Sequence, residues 1–249
     1  ELLDQMDARG VTFAPASGRQ VWTLIDMFPG RPGMTVIGEN GGIVMRDGVE
    51  VSSSPLDAPT MREAVRLVRE ATSGPDGIDG GLVMCGKQFA YVERTDDRFV
   101  DGVLPYYHRT KRIDDQIAII DAIEAGEIDD AIVKLAVYVI GPVQALAEAT
   151  LARFADTHQY AVSGANWADL QIRGVDKGSA VRDLQRFLGV DRSQTAVFGD
   201  AGNDLSMMSE GDLSFAMANA SQDVVGAARF IAPSNNEAGV VQVLRALVG

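Results

Sequence analysis

The sequence predicts an α/β fold: a doubly wound parallel sheet interrupted by an inserted α+β module. Three observations predict it. From residue 174 onward, short apolar runs of strand length alternate with helix patterns, the signature of buried parallel strands. Between about residues 58 and 173, paired strand patterns stand beside helices. Polar turns rich in Gly, Ser, Asp and Asn fall where an apolar run gives way to a helix, the edge at which open α/β sheets bind ligands.

The first helix pattern places Leu2, Leu3 and Met6 on one face and is stopped by Gly10. Residues 11–14 (Val-Thr-Phe-Ala) read as a short strand ending at Pro15-Ala16-Ser17-Gly18-Arg19. A helix with Val21, Leu24, Ile25 and Phe28 on one face is broken at Pro29-Gly30. Residues 34–37 read as a strand and 38–42 as a turn, and Ile43-Val44-Met45 opens a hairpin closed by Asp47-Gly48.

Past residue 58 the texture changes. Thr60-Met61-Arg62-Glu63 is a capping-box pattern, followed by Ala64, Val65 and Val68 at helical spacing. Glycines between 74 and 81 make a loop, and residues 82–85 and 89–92 read as a hairpin. A helix over 113–124, a strand over 132–140 and a helix from Gly141-Pro142 onward follow. Residues 160–162 and 168–172 are two more strands. The second alternates Ala168, Leu170 and Ile172 with Asp169, Gln171 and Arg173, so one of its faces is expected to be solvated or to meet a ligand.

The last third carries a helix over 180–188 stopped by Gly189, then strands near 195–198, 213–217 and 230–231. Helices near 204–210, 221–228 and from 237 separate and follow them. The expected division is a core of residues 1–57 and 174–249, with the inserted module at 58–173.

The 249 residues carry 22 Lys+Arg against 35 Asp+Glu, a formal net charge of −13. Such a chain repels phosphate backbones, and the densest basic pair is Lys111-Arg112, so a nucleic-acid partner is not expected. The longest apolar run, residues 135–140, is far short of the roughly 20 residues that span a bilayer, so no membrane partner is expected. A single cysteine, Cys85, fits a reducing compartment, and the cytoplasm is the expected location. His108 and His158 have no third ligand nearby in sequence, and Trp22 and Trp167 read as packing residues.

Three turns carry chemistry. In Gly199-Asp200-Ala201-Gly202-Asn203-Asp204 an apolar strand delivers a carboxylate at its carboxyl end, with a second carboxylate and an amide where the next helix begins. Such a loop suits an oxygen-seeking cation such as Mg²⁺, although Asn203 or Asp204 could equally cap the helix. Ser17-Gly18-Arg19 offers a hydroxyl and backbone N–H groups at a helix start, which can cradle an anion or simply cap. Asp176-Lys177-Gly178 puts a cation at a helix N-terminus, where the dipole disfavours it, so either a phosphate or a carboxylate stands beside it or it is a solvated surface lysine. Asn40, in Glu39-Asn40-Gly41-Gly42, either lines a pocket or is a turn residue tolerating positive φ.

Taken together, these turns resemble the haloacid dehalogenase superfamily, in its Cof-type sugar-phosphatase branch. Ala218-Asn219-Ala220 and Asn235-Asn236-Glu237-Ala238-Gly239-Val240 match stretches of that branch too, and the resemblance spans essentially the whole chain. It implies a core with a large cap inserted between the second and third motifs, and a Mg²⁺-dependent phosphatase of small phosphorylated metabolites, with sugar phosphates as the class. Ser17, Gly18, Arg19 and Lys177 would bind substrate or its phosphate, Asn203 would contact the phosphate or position the loop, and Asn40 would line the substrate pocket. Lys177 would neutralise charge as a catalytic residue, Asp200 would hold Mg²⁺, and Asp204 would be a second, supporting metal carboxylate. A phosphomutase of the same superfamily is the other enzyme reading, and oligomeric state is left open.

One motif is missing. The family's DxDGT, which carries the nucleophilic Asp, occurs nowhere in residues 1–249. Residues 1–6 already read as the middle of a helix, so a stretch of about 20–30 residues bearing that motif is expected upstream of Glu1. Residues 1–249 alone are then expected to be inactive. The competing expectation is a protein that truly lacks the motif and binds phosphate or a metabolite without catalysis.

Overall fold

The structure is a computed structural model that describes residues 1–31 and 33–249. Its elements begin with α1 (Leu2–Ala8), α2 (Val21–Asp26), β1 (Val36–Gly38), β2 (Ile43–Arg46), β3 (Val49–Ser53), α3 (Ala58–Thr72), β4 (Gly80–Gly86) and β5 (Ala90–Val92). They continue with α4 (Asp97–Val103), β6 (Thr110–Arg112), α5 (Gln116–Glu124), β7 (Ile132–Val139), α6 (Gln144–Ala149), β8 (His158–Val162) and β9 (Trp167–Ile172). The last are α7 (Lys177–Leu188), β10 (Ala196–Gly199), β11 (Leu213–Met217), α8 (Gln222–Ala227), β12 (Phe230–Ala232) and α9 (Gly239–Val248). Two compact units result: Glu1–Ser17, Gly30–Ser52 and Asp176–Gly249 form the first, Gly18–Pro29 and Ser53–Val175 the second.

In the first unit, β10, β11 and β12 form a parallel sheet. One face carries Phe198, Phe215 and Phe230 in register, with the first two rings 4.9 Å apart and stacked. Val197 and Ala216 of the other face share a core with Ala180, Val181 and Leu184 of α7, Val224 of α8, and Ile37 and Val44. Each large aliphatic side chain buried there contributes about 1.5–3 kcal/mol. Helix α7 is bounded by an Asp176 N-cap with a capping box to Ser179 and by Gly189 in the left-handed conformation. Strands β1, β2 and β3 form a separate sheet. Between β2 and β3, Asp47 and Gly48 both take positive φ (53° and 75°), as the Asp-Gly hairpin signal requires.

The strand expected at 11–14 pairs in no ladder among the described residues. The Val11 N–H donates to the Met6 carbonyl at the end of α1, and Pro15 has no N–H to give. Parallel pairing begins only at the isolated bridge of Ala16 with Ile37.

In the second unit six strands run in the order β6-β5-β4-β7-β9-β8. The β5–β6 pair is parallel and the others are antiparallel. Leu82 and Met84 of β4, Leu135, Val137 and Val139 of β7, and Ala168 and Leu170 of β9 pack with Met61, Val65 and Val68 of α3, Ile120 of α5 and Leu146 of α6. Helix α3 begins two residues before Thr60, because the Asp57 carboxylate accepts from the Thr60 N–H at 2.8 Å and Pro59 fits the first turn. The opposite face carries Val83, Cys85, Ala90, Val92 and Ala136, packed with Phe99, Val103 and Tyr107. By the pleat, Lys134, Asp169 and Gln171 lie on that face too, 1%, 5% and 3% exposed. The polar face expected of residues 168–172 is therefore not a solvated one.

Residues 18–29, expected in the core, group with the second unit. Side chains at the start of α2 tie them there. The Gln20 amide donates to the Arg109 carbonyl (3.0 Å) and accepts from the Arg109 N–H (2.9 Å). The Trp22 indole N–H donates to the Lys87 carbonyl (2.9 Å), and the Thr23 hydroxyl to that of Tyr106 (3.0 Å).

Candidate active site

Strand β10 ends at Gly199 and hands the chain to Asp200. The loop that follows is folded around one carboxylate, that of Asp204. Its Oδ2 accepts the backbone N–H groups of Asp200 (3.0 Å) and Ala201 (3.2 Å). Its Oδ1 accepts from the Lys177 ammonium at 2.6 Å. The Asp200 carbonyl is held by the Ser221 N–H at 2.9 Å. The half-buried Asp200 carboxylate takes no hydrogen bond or ion pair from the described residues.

Lys177 and Asp204 are 5% and 7% exposed, so both charges of the pair are out of water. Lys177 opens α7, the wrong end of a helix for a cation, and the carboxylate expected to offset that is Asp204. A 3-10 helix over Gly202–Ser209 carries Asp204. It lies so close to α7 that a Cβ on Gly178 would sit 2.5 Å from the Ser206 carbonyl oxygen, while the Gly178 N–H donates to the Ser206 hydroxyl at 3.0 Å.

The second strand of the site runs through Ser17, Asn40 and Asn203. The Ser17 N–H donates to the Ile37 carbonyl (2.9 Å), and the Ser17 carbonyl accepts from the Asn40 N–H (3.0 Å). The exposed Asn203 donates its side-chain amide to the Asn40 Oδ1 at 3.1 Å. The first unit thus brings Ser17, Asn40, Lys177, Asp200, Asn203 and Asp204 into one connected set, although 163 residues separate Asn40 from Asn203. Gly18 and Arg19 group with the second unit. There the Gly18 carbonyl accepts from the Lys134 ammonium at 2.7 Å, and the Arg19 guanidinium lies 5.0 Å from the centre of the Tyr106 ring.

Among the described residues, no group of three or more His, Cys, Asp or Glu is arranged to hold a metal ion. The donor set suits Mg²⁺ all the same, since that ion takes one or two carboxylates and completes its shell with phosphate and water. Asp200 offers such a carboxylate. Asp204, expected as a second metal carboxylate, accepts from the Lys177 ammonium at one oxygen and from two backbone N–H groups at the other.

Sequence reasoning passed over Glu39, which is 1% exposed beside Asn40 at φ 51°. The signal was an acidic residue inside a glycine-rich turn, with no partner in sequence to identify it. It also passed over Lys134, which sits inside the apolar run of β7. Cys85 is fully buried, with its Sγ 3.3 Å from the Tyr107 hydroxyl.

The sequence profile of the haloacid dehalogenase-like hydrolases matches residues 1–244. The 5-amino-6-(5-phospho-D-ribitylamino)uracil phosphatase YbjI of Escherichia coli K12 is 34% identical over 247 residues, 96% of this chain and 84% of that protein. The fold is shared with SMU.1108c of Streptococcus mutans UA159 at a TM-score of 0.80 and 22% identity, covering 99% of this chain and 89% of that one. It is shared also with the subclass IIB sugar phosphatase BT4131, at a TM-score of 0.75 and 17% identity, with coverage of 99% and 89%. No helix among the described residues is long and apolar enough to cross a membrane.

Proposed function

The chain belongs to the haloacid dehalogenase-like hydrolases and is a phosphoric monoester hydrolase by family, and from that premise we propose a Mg²⁺-dependent phosphatase of small phosphorylated metabolites, with sugar phosphates as its class. The observation that carries the proposal is the joined set of Ser17, Asn40 and Asn203 with Lys177, Asp204 and Asp200. Mg²⁺, when bound, supplies positive charge against the transferring phosphoryl group.

Each residue has a part. The Ser17 hydroxyl and the Asn203 amide hold phosphate oxygens. The Lys177 ammonium, fixed by Asp204, neutralises the charge on the nucleophile and the phosphoryl group. Asp200 holds the cation. The nucleophile of this family is an aspartate of the DxDGT motif, which residues 1–249 do not contain. Its carboxylate oxygen bonds to phosphorus as the bond to the leaving oxygen breaks, and the leaving oxygen takes a proton from the second aspartate of that motif, which regains one from the attacking water in the next step. Water then attacks the phosphorus of the aspartyl phosphate, releasing inorganic phosphate and restoring the carboxylate. The second unit is assigned the part of the cap, which excludes water and selects the substrate. The relative's named substrate is a phosphorylated ribityl compound, which supports polyol and sugar phosphates as the first to try.

The test is phosphate release from a panel of sugar and polyol phosphates by the product of the full coding sequence, in Mg²⁺ and in EDTA. Turnover of at least one ester in Mg²⁺, lost in EDTA, is the expected result. Tight phosphate binding with no turnover of any ester would replace the proposal with a non-catalytic binding role. Product in which phosphate has moved within the sugar would replace it with a phosphomutase.

A further inference from the structure

The turn after β1 is backbone-strained in a way the fold alone does not need. Glu39, Asn40 and Gly41 take positive φ in succession, at 51°, 52° and 96°. Two of them are not glycine, and L residues with a Cβ avoid this region. Strain of this kind persists only where the surroundings over-determine it, and it gathers where geometry matters for function.

Here the surroundings are the three loops of the site. The Asn40 N–H is spent on the Ser17 carbonyl at 3.0 Å. The Asn40 Oδ1 receives the Asn203 amide at 3.1 Å. Gly41 lies against the N-terminus of α7 so closely that a Cβ would stand 2.2 Å from the Asp176 carbonyl oxygen, one residue before Lys177. One turn therefore touches the segment of Ser17, the segment of Lys177 and the loop of Asn203. Asn40 is 8% exposed while Asn203 is exposed, so Asn203 is the member of the pair open to a ligand.

We propose that Asn40 is a positioning residue: it fixes the Asn203 amide for a phosphate oxygen and does not itself contact the substrate. The inference rests on the phosphatase reading above. Asparagine suits the place on two counts. It tolerates the left-handed backbone better than other residues with a side chain, and it carries a neutral acceptor that adds no negative charge beside a phosphate.

Asn40→Gly separates the side chain from the backbone, because glycine is at ease at φ 52° and the turn can still form. The probes are inorganic phosphate, followed by calorimetric titration in Mg²⁺, and an aryl phosphate, followed by steady-state kinetics, both with the full coding-sequence product. Asn40→Gly should weaken phosphate affinity and raise KM about tenfold, with kcat changed much less. In an Asn203→Ala background the same substitution should change either quantity by no more than about twofold. The ¹⁵N-detected side-chain amide resonance of Asn203 should shift in Asn40→Gly. Unchanged affinity in Asn40→Gly would overturn the proposal, and so would an equal loss with and without the Asn203 amide, which would mean direct contact by Asn40. A wild-type protein that hydrolyses no ester fails the phosphatase reading; an active one indifferent to Asn40→Gly fails this proposal alone.

Discussion

Among the described residues each unit buries one lysine, and the two stand at different places in their sheets and loops. Lys177 of the first unit stands at a helix start and faces the Asp204 carboxylate at 2.6 Å. Lys134 of the second unit stands in the middle of a strand and donates to a backbone carbonyl, that of Gly18, at 2.7 Å. The first sits in a loop cluster beyond strand ends, where polar groups can converge on a ligand. The second sits within the pleat of a sheet face, where its bond fastens one segment of chain to another. A buried ammonium is therefore no guide to chemistry by itself; what surrounds it is.

The sharpest way to break this comparison is Lys177→Met. It removes the cation and leaves the Asp204 carboxylate buried. Turnover of an aryl phosphate should fall by about a thousandfold. Stability by urea unfolding should drop by about 3–5 kcal/mol. Removing both charges, in Lys177→Met with Asp204→Leu, should recover most of that stability and none of the turnover. If the double variant regained activity, the pair would be structural.

Gly41→Ala comes next. Its Cβ would meet the Asp176 carbonyl oxygen at 2.2 Å, at a φ of 96° that alanine resists. A loss of about 2–4 kcal/mol is expected in the same unfolding measurement. A silent Gly41→Ala would show that the turn and α7 are not locked together.

Lys134→Met keeps the bulk of the side chain and deletes its donor. A loss of about 1–3 kcal/mol is expected, with a fall in aryl phosphate turnover far smaller than that of Lys177→Met. Equal losses of turnover in the two variants would erase the distinction drawn between them. The mildest change is Asp57→Ala at the N-cap of α3, which should cost about 1 kcal/mol in thermal or urea unfolding and leave KM unchanged.

How far the sequence could be read follows the same division. Asp200 was legible because an apolar strand ending in Gly-Asp announces its own position. Lys177 was legible because a cation at a helix start asks for an anion, and Asp204 answers it. The hydrogen bonds of Asp204 were not legible: only the fold shows that the Lys177 ammonium and two backbone N–H groups donate to its oxygens. The bond of Asn40 to Asn203 and the ties of α2 to residues 87, 106 and 109 are long-range pairings, which local periodicity does not contain. Residues 168–172 show the limit of pattern reading. Their period-2 alternation correctly marked a strand, yet it could not say that Asp169 and Gln171 are buried. Residues 11–14 show another, since an apolar run becomes a strand only when a neighbour takes its hydrogen bonds.

The central claim is that Asp200 and its loop form a metal-dependent phosphatase site. The measurement that tests it most directly is phosphate release from an aryl phosphate by the full coding-sequence product and by its Asp200→Asn variant, each stripped with EDTA and then titrated with Mg²⁺. Wild-type turnover should return with Mg²⁺, while Asp200→Asn, folded by circular dichroism, should stay silent across the titration. Equal turnover in the two proteins, or turnover indifferent to EDTA and Mg²⁺, would contradict the account.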